Sequence, residues 1–125
     1  MDRIMITDDA PAEELLSVAM CVHELFGRLP VTARSRNKPG VRIEDGSVMS
    51  TDYTGPVLEE VLEKNITIRG RPKSGQYKGV PVVVSPVLVD GKAVAAIGVV
   101  DTTGSLEIKA LMDQYASVRR QVENP

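Results

Sequence analysis

The sequence predicts an α+β domain: a single antiparallel sheet of about five strands flanked by helices, in the order α-β-β-α-β-β-β-α. Three observations predict it. Runs with a 3.6-residue apolar period lie near both ends of the chain. Two apolar runs, Val80 to Val89 and Ala93 to Val100, flank Asp90-Gly91, a two-residue hairpin signal that makes them adjacent antiparallel strands. No repeat, linker or low-complexity segment divides the 125 residues, a length within the share of one domain.

The first helix starts after Thr7, Asp8 and Asp9, which supply capping oxygens, with Pro11 suited to a first turn and Glu13 and Glu14 favoured by the helix dipole. Leu15, Ala19, Val22 and Phe26 form its apolar stripe, widened by Leu16, Met20 and His23, and Gly27 offers the stop. Leu29 to Ser35 and Val41 to Glu44 read as strands around a turn at Asn37 to Gly40. Asp45-Gly46 makes another turn, and Ser47 to Thr51 reads as either a short strand or an extended arm.

Thr54, Gly55 and Pro56 open a second, short helix, with Val57, Leu58, Val61 and Leu62 on one face and Glu59, Glu60 and Glu63 on the other, ending at Asn65. Ile66 to Arg69 is a strand candidate, and Gly70 to Gly79, rich in Gly, Pro and Lys, is a loop. The two long apolar strands follow, with near-continuous apolarity that implies cover on both sheet faces. Pro81 and Pro86 cannot donate ladder hydrogen bonds, so that strand carries a bulge or lies partly at an edge. Thr102 to Ser105 lead into a third helix with Ile108, Leu111, Met112, Tyr115 and Val122 on its buried stripe, and the tail from Glu123 frays. The first and third helices should share one face of the sheet, with the second helix and the long loops on the other.

Composition narrows the classes. The chain is 42% apolar and 26% charged, as in an average folded domain, and its formal net charge is -2. That balance argues against nucleic-acid or membrane binding through global charge. Cys21 is the sole cysteine, so no intramolecular disulfide forms and no cysteine-based metal site is complete. The start has neither a signal-peptide core nor a cleavage pattern, and no stretch is long enough to span a bilayer, which together give a cytoplasmic expectation.

The search for catalytic chemistry finds none, and the expectation is a protein that is not an enzyme and needs no cofactor or metal. His23, the only histidine, falls on the apolar stripe of the first helix and reads as a packed or helix-end residue. Cys21 and His23, two residues apart, point away from one another. Ser85 and Ser74 lack the context of a nucleophile elbow, and no phosphate-cradling glycine motif is present. The acid pairs Asp8-Asp9, Glu44-Asp45 and Glu59-Glu60 sit at helix starts, turns or exposed faces, where capping and solvation account for them.

The charge distribution says more than its sum. Arg28, Arg34, Arg36, Lys38 and Arg42 fall in one acid-free window, and Lys64, Arg69, Arg71, Lys73 and Lys78 in another. If the windows meet, Arg34, Arg36, Arg69 and Arg71 form an anion site through arginine's planar fork, with Tyr77 inside the second window. Edge protection and solubility are the plain alternative use of the same side chains. Nucleic acid fits poorly, since Tyr77 alone offers a stacking ring in either window. In the last strand Ala96 and Gly98 allow close packing or room for a ligand, and Asp101 with Thr102 and Thr103 caps the third helix or lines a pocket mouth.

The run from Gly79 to Asp101, with its apolar strand, Asp-Gly turn and final Ile97-Gly98-Val99-Val100-Asp101, resembles the last hairpin of GAF and PAS sensor domains. The element order is also similar to roadblock and other profilin-like domains. Over nearly its full length the chain resembles a family of small proteins, a domain of unknown function found mainly in methane-producing archaea. The resemblance implies a sensor or regulatory module that binds a small anionic metabolite between the sheet, the second helix and the basic loops. The competing expectation is a roadblock-like homodimer that scaffolds other proteins without a small ligand.

Overall fold

The apolar stripe that begins at Leu15 folds as α1 (Ala12–Leu25) in the computed structural model, which describes residues 2–104. Ala12, Leu15, Ala19 and His23 are its buried face. The capping expectation is corrected: Pro11 is the N-cap and no side chain caps the helix. Thr7 Oγ1 instead accepts from the Asp9 amide, and Asp9 Oδ1 accepts from Asn37 Nδ2. The bond to Asp9, with the Asn37 amide donating to Asp8 O at 2.9 Å, ties the N-terminal arm to the turn after the first strand. Phe26 is the C-cap rather than part of the buried stripe.

Six strands follow: β1 (Val31–Ser35), β2 (Gly40–Glu44), β3 (Ser47–Tyr53), β4 (Ile68–Gly70), β5 (Val82–Val89) and β6 (Lys92–Val100), with α2 (Pro56–Lys64) between β3 and β4. They form one antiparallel sheet in the order β3-β2-β1-β6-β5-β4. The expectation of about five strands is therefore one short. The segment from Ser47, left between strand and arm, is the outer strand β3, which is largely exposed. Both Asp-Gly turns have positive φ at both positions, Asp45 at 48° with Gly46 at 77° and Asp90 at 52° with Gly91 at 77°. That is the twist-matched hairpin turn which the dipeptide favours.

The prolines behave as their chemistry requires. Pro86 lies beyond the end of β4, where β5 has become an edge strand, and the β5–β6 register slips between Val87 and Leu88. Asn65 ends α2 with φ 59°, the left-handed cap expected of it. The third helix and the frayed tail expected from Ser105 onward lie outside the described residues.

Alternation along β6 separates two cores. Ala95 and Val99 join Val31, Ala33, Val41 and Ile43 under α1. Ala96 and Val100 join Val82, Val84 and the α2 residues Leu58, Val61 and Leu62. Since successive strand residues point to opposite faces, α1 and α2 cover opposite sides of the sheet. His23 seals the first core. It is 0% exposed, its Nδ1 lies 2.7 Å from Leu29 O, and the Gly46 amide donates to its Nε2 at 2.9 Å. An amide only donates, so Nε2 is the acceptor and the ring proton sits on Nδ1. The histidine is a neutral clamp between the end of α1 and the β2–β3 turn.

Candidate functional site

Alternation on β2 sends Val41 and Ile43 into the α1 core, which leaves Arg42 and Glu44 on the α2 face. There they pair: Arg42 Nη1 lies 2.7 Å from Glu44 Oε2, with both side chains mostly buried. A second donor reaches the same oxygen from far along the chain. The segment from 71 to 81 folds over this face, and Tyr77 Oη donates to Glu44 Oε2. Tyr53, at the end of β3, packs its ring 6.5 Å from that of Tyr77 at a 60° tilt.

The polarity of this cluster follows from its environment. Burial pushes the Tyr77 hydroxyl well above the ordinary tyrosine value, and its hydrogen bond to Glu44 acts in the same direction. Burial also raises Tyr53. The Tyr77 hydroxyl, with Glu44 beside it, holds Arg42 in its charged form above the usual arginine value. The arrangement is an oriented carboxylate at the end of an aromatic wall.

The floor is set by strand register. Arg42 pairs with Thr32, Thr32 with Gly98 and Gly98 with Val84, a row that crosses β2, β1, β6 and β5. A Cβ on Gly98 would lie 2.8 Å from Val84 Cγ2 and 3.1 Å from Thr32 Oγ1. The glycine therefore permits close packing, rather than making room. Between this floor, the start of α2 and the 71–81 loop remains a cavity of about 20 Å³, lined by Thr32, Tyr53, Pro56, Tyr77, Val84 and Gly98 among others. That volume holds one water molecule. Anything larger enters only if the loop moves.

The arginines expected to make an anion site are placed otherwise. Arg34 donates to Ser35 O at 2.9 Å, Thr54 Oγ1 at 2.8 Å and Arg36 O at 3.2 Å. Arg36 donates to Ala93 O at 2.9 Å, Leu62 O at 2.6 Å and Asn65 Oδ1 at 3.3 Å. Asn65 Oδ1 also accepts from the Ala93 amide at 2.7 Å, so Arg36 and Asn65 together fasten the end of α2 to the start of β6. Arg71 Nη1 donates to Gly79 O within its own loop at 2.8 Å.

The two basic windows do not meet as a four-arginine site. Thr32 faces the α2 side, and Arg34, two residues on, shares that face. Arg69 pairs with Val83, which packs on the α1 core, so it lies on the other face. Three strand spacings, about 14 Å, also separate β1 from β4. Of the expected ligand residues, Tyr77 alone lines the α2-face cavity. Asp101 is buried at the end of β6, where its Oδ1 accepts from the Gly104 amide at 3.1 Å. The helix-capping role expected of it falls on a helix outside the described residues.

Arg42 and Glu44 were the pair that sequence reasoning passed over. Their signal was present: polar residues alternating with Val41 and Ile43 in a strand must share the face opposite the apolar pair. Among the described residues no group of three or more His, Cys, Asp or Glu side chains is placed to hold a metal ion. Nor is any described helix long and apolar enough to cross a membrane.

No solved structure matches the chain. An uncharacterized protein of Methanocaldococcus jannaschii is 45% identical over 106 residues, which cover 83% of this chain and 81% of the relative. The family described as an uncharacterized protein conserved in archaea, DUF2111, matches residues 22–103, a span that runs from within α1 past the end of β6 and takes in every described strand. The chain belongs to this archaeal family.

Proposed function

We propose that the protein is a non-enzymatic binding module whose small-molecule site is the α2 face of the sheet. One observation carries the reading: Arg42, Glu44, Tyr53 and Tyr77 converge on that face beside the cavity, under a loop rather than under a helix. Buried polar groups that converge at the edge of an apolar pocket are what orient a ligand in a binding site. The GAF- and PAS-like look of the segment from Gly79 to Asp101 belongs to the same reading. The charge of this site differs from the anion expectation: Arg42 is already paired with Glu44, and Arg34, Arg36 and Arg71 donate to protein oxygens.

Thermal shift against a panel of small anionic and aromatic metabolites tests it. A ligand at 100 times its Kd stabilises the fold by about 2.7 kcal/mol. Melting curves that stay flat across the panel would sink the proposal.

A homodimeric scaffold is a second reading, favoured by β3. This outer strand exposes Val48 and Met49 and contains neither Lys nor Pro, two common guards of an edge. Its single charge, Asp52, lies off the central Ser50, so a two-fold antiparallel pairing with a second copy sets no like charges opposite one another. Light scattering that returns a monomer for the wild type at high concentration would dismiss it.

A further inference from the structure

We infer that the α2-face cleft is shaped for a planar ring bearing a hydroxyl, and that Tyr77 is its intramolecular occupant, a plug that such a ligand displaces. The inference rests on the binding-module reading above and names its ligand class and its switch.

The loop is built to move as a unit. Four hydrogen bonds lie within it: Arg71 Nη1 and the Gly79 amide reach Gly79 O and Pro72 O at 2.8 and 2.9 Å, and the Lys78 and Val80 amides reach Gly75 O and Tyr77 O at 3.3 and 3.0 Å. Gly75 and Gly79, with φ of 85° and 80°, supply turns that other residues adopt only with strain. Between 71 and 79 the buried residues are Pro72 and Tyr77. The loop is fastened to the sheet face by the buried Pro72 and Tyr77, by the partly buried Val80, and by the Asp101 amide donating to Pro81 O at 2.9 Å, and Tyr77 alone of these carries a hydroxyl that reaches Glu44.

The cleft keeps its shape without the loop. Glu44 is oriented by Arg42, its neighbour on β2, so the acceptor does not depend on Tyr77 for its position. The Tyr53 ring forms one wall, and Val82, Val84 and Val100 form an apolar floor on rigid strands. Withdrawal of Tyr77 leaves a slot with an aromatic side, a valine base and a carboxylate at its end. A phenol matches all three, while an apolar ring of the same shape leaves the carboxylate with Arg42 but without its second donor.

Loop and ligand then compete, and competition separates a plug from an ordinary core tyrosine. A ligand that takes the slot raises the population of the released loop, which carries the exposed Lys73 and Lys78. The test is native-state trypsin cleavage of the full chain after these lysines, with p-cresol, the tyrosine side chain itself, or toluene, its hydroxyl-free match. A ligand of eight heavy atoms with a Kd of about 1 mM, present at about 5 mM, multiplies the open population by about six.

Cleavage in the loop should therefore quicken about sixfold with p-cresol and stay near its basal rate with toluene. The Tyr77→Ala chain should be cleaved fast with or without p-cresol, and p-cresol should raise its melting temperature. Should that variant fail to fold, Tyr77→Phe keeps the ring, loses the bond to Glu44, and should be cleaved faster than wild type. Wild-type cleavage that is unchanged or slowed by p-cresol overturns the plug. Stabilisation by a member of the metabolite panel without faster loop cleavage overturns the plug alone and leaves the binding module standing.

Discussion

Arg36 offers a test in which two readings differ in sign. Arg36→Ala removes the bonds to Ala93 O at 2.9 Å, Leu62 O at 2.6 Å and Asn65 Oδ1 at 3.3 Å. Hydrogen bonds from a charged donor contribute roughly 1.5 to 3 kcal/mol each. The third is long, and water can reach this half-buried side chain, so a sum of the full values overstates the loss. A cost of about 3 kcal/mol is expected. With a urea m-value of about 1.5 kcal/mol/M, the unfolding midpoint falls by about 2 M while the slope stays the same. Arg36→Lys should recover little, because a point charge cannot span two carbonyls as the guanidinium fork does. An arginine held for a ligand beside Arg34 would behave otherwise, since its removal relieves like-charge repulsion and leaves stability unchanged or raised. A midpoint equal to or above wild type in urea titration would refute the structural role and return Arg36 to the anion site.

Three further outcomes are expected. His23→Leu leaves Leu29 O and the Gly46 amide without their partner, at a cost of about 2 to 4 kcal/mol read by urea unfolding; a loss under about 0.5 kcal/mol would contradict the clamp. A glycine series should be graded by what a Cβ meets. Gly40→Ala, 1.7 Å from Ala33 O, should cost more than about 3 kcal/mol, Gly98→Ala about 1 to 3, and Gly70→Ala, with nothing within 4 Å, under about 0.5, and equal melting temperatures across the three would contradict the packing. Alkaline pH should destabilise the fold from about pH 10, the ordinary tyrosine value, because unfolded Tyr77 loses its proton there while the folded hydroxyl, raised by burial, keeps it. The slope approaches about 1.4 kcal/mol per pH unit for each such tyrosine, and Tyr77→Phe should flatten it in pH-dependent urea titrations.

Much of the fold was legible because it is written in local chemistry. The Asp45-Gly46 and Asp90-Gly91 turns, the Gly55-Pro56 helix start and the Asn65 stop each depend on a few adjacent residues, and each folds as its residue types require. β3 was blurred for a physical reason: a strand with little burial on either face needs no alternation, so Ser47–Tyr53 carries no period to read. The candidate site was less legible. Closeness in sequence and likeness of charge do not say which face a residue occupies or which carbonyl claims it. Arg34 and Arg69 part company through strand register, and Arg36 is claimed by Leu62 and Ala93, contacts set by where α2 docks. Tyr77 was singled out as the one ring in a basic window, but its partner Glu44 lies 33 positions away, across a fold that sequence pattern does not supply.

The strand order has a kinetic meaning. β1, β2 and β3 form one meander, β4, β5 and β6 another, and within each every pairing joins neighbours along the chain. Among the described strand pairings, the β1–β6 seam, which sets Val31 opposite Val99 and Ser35 opposite Ala95, is the one that joins the halves, while α2 links them from one outer edge of the sheet to the other. Hairpins form in microseconds, whereas the seam must wait for closure of the intervening chain, and that closure is where the entropic barrier to folding concentrates. Thr32 and Gly98 face one another on that seam, in the floor of the α2-face cleft. The α2-face cleft is therefore complete only once this seam has closed: neither half owns it, and a nascent chain cannot present it until β6 has been made.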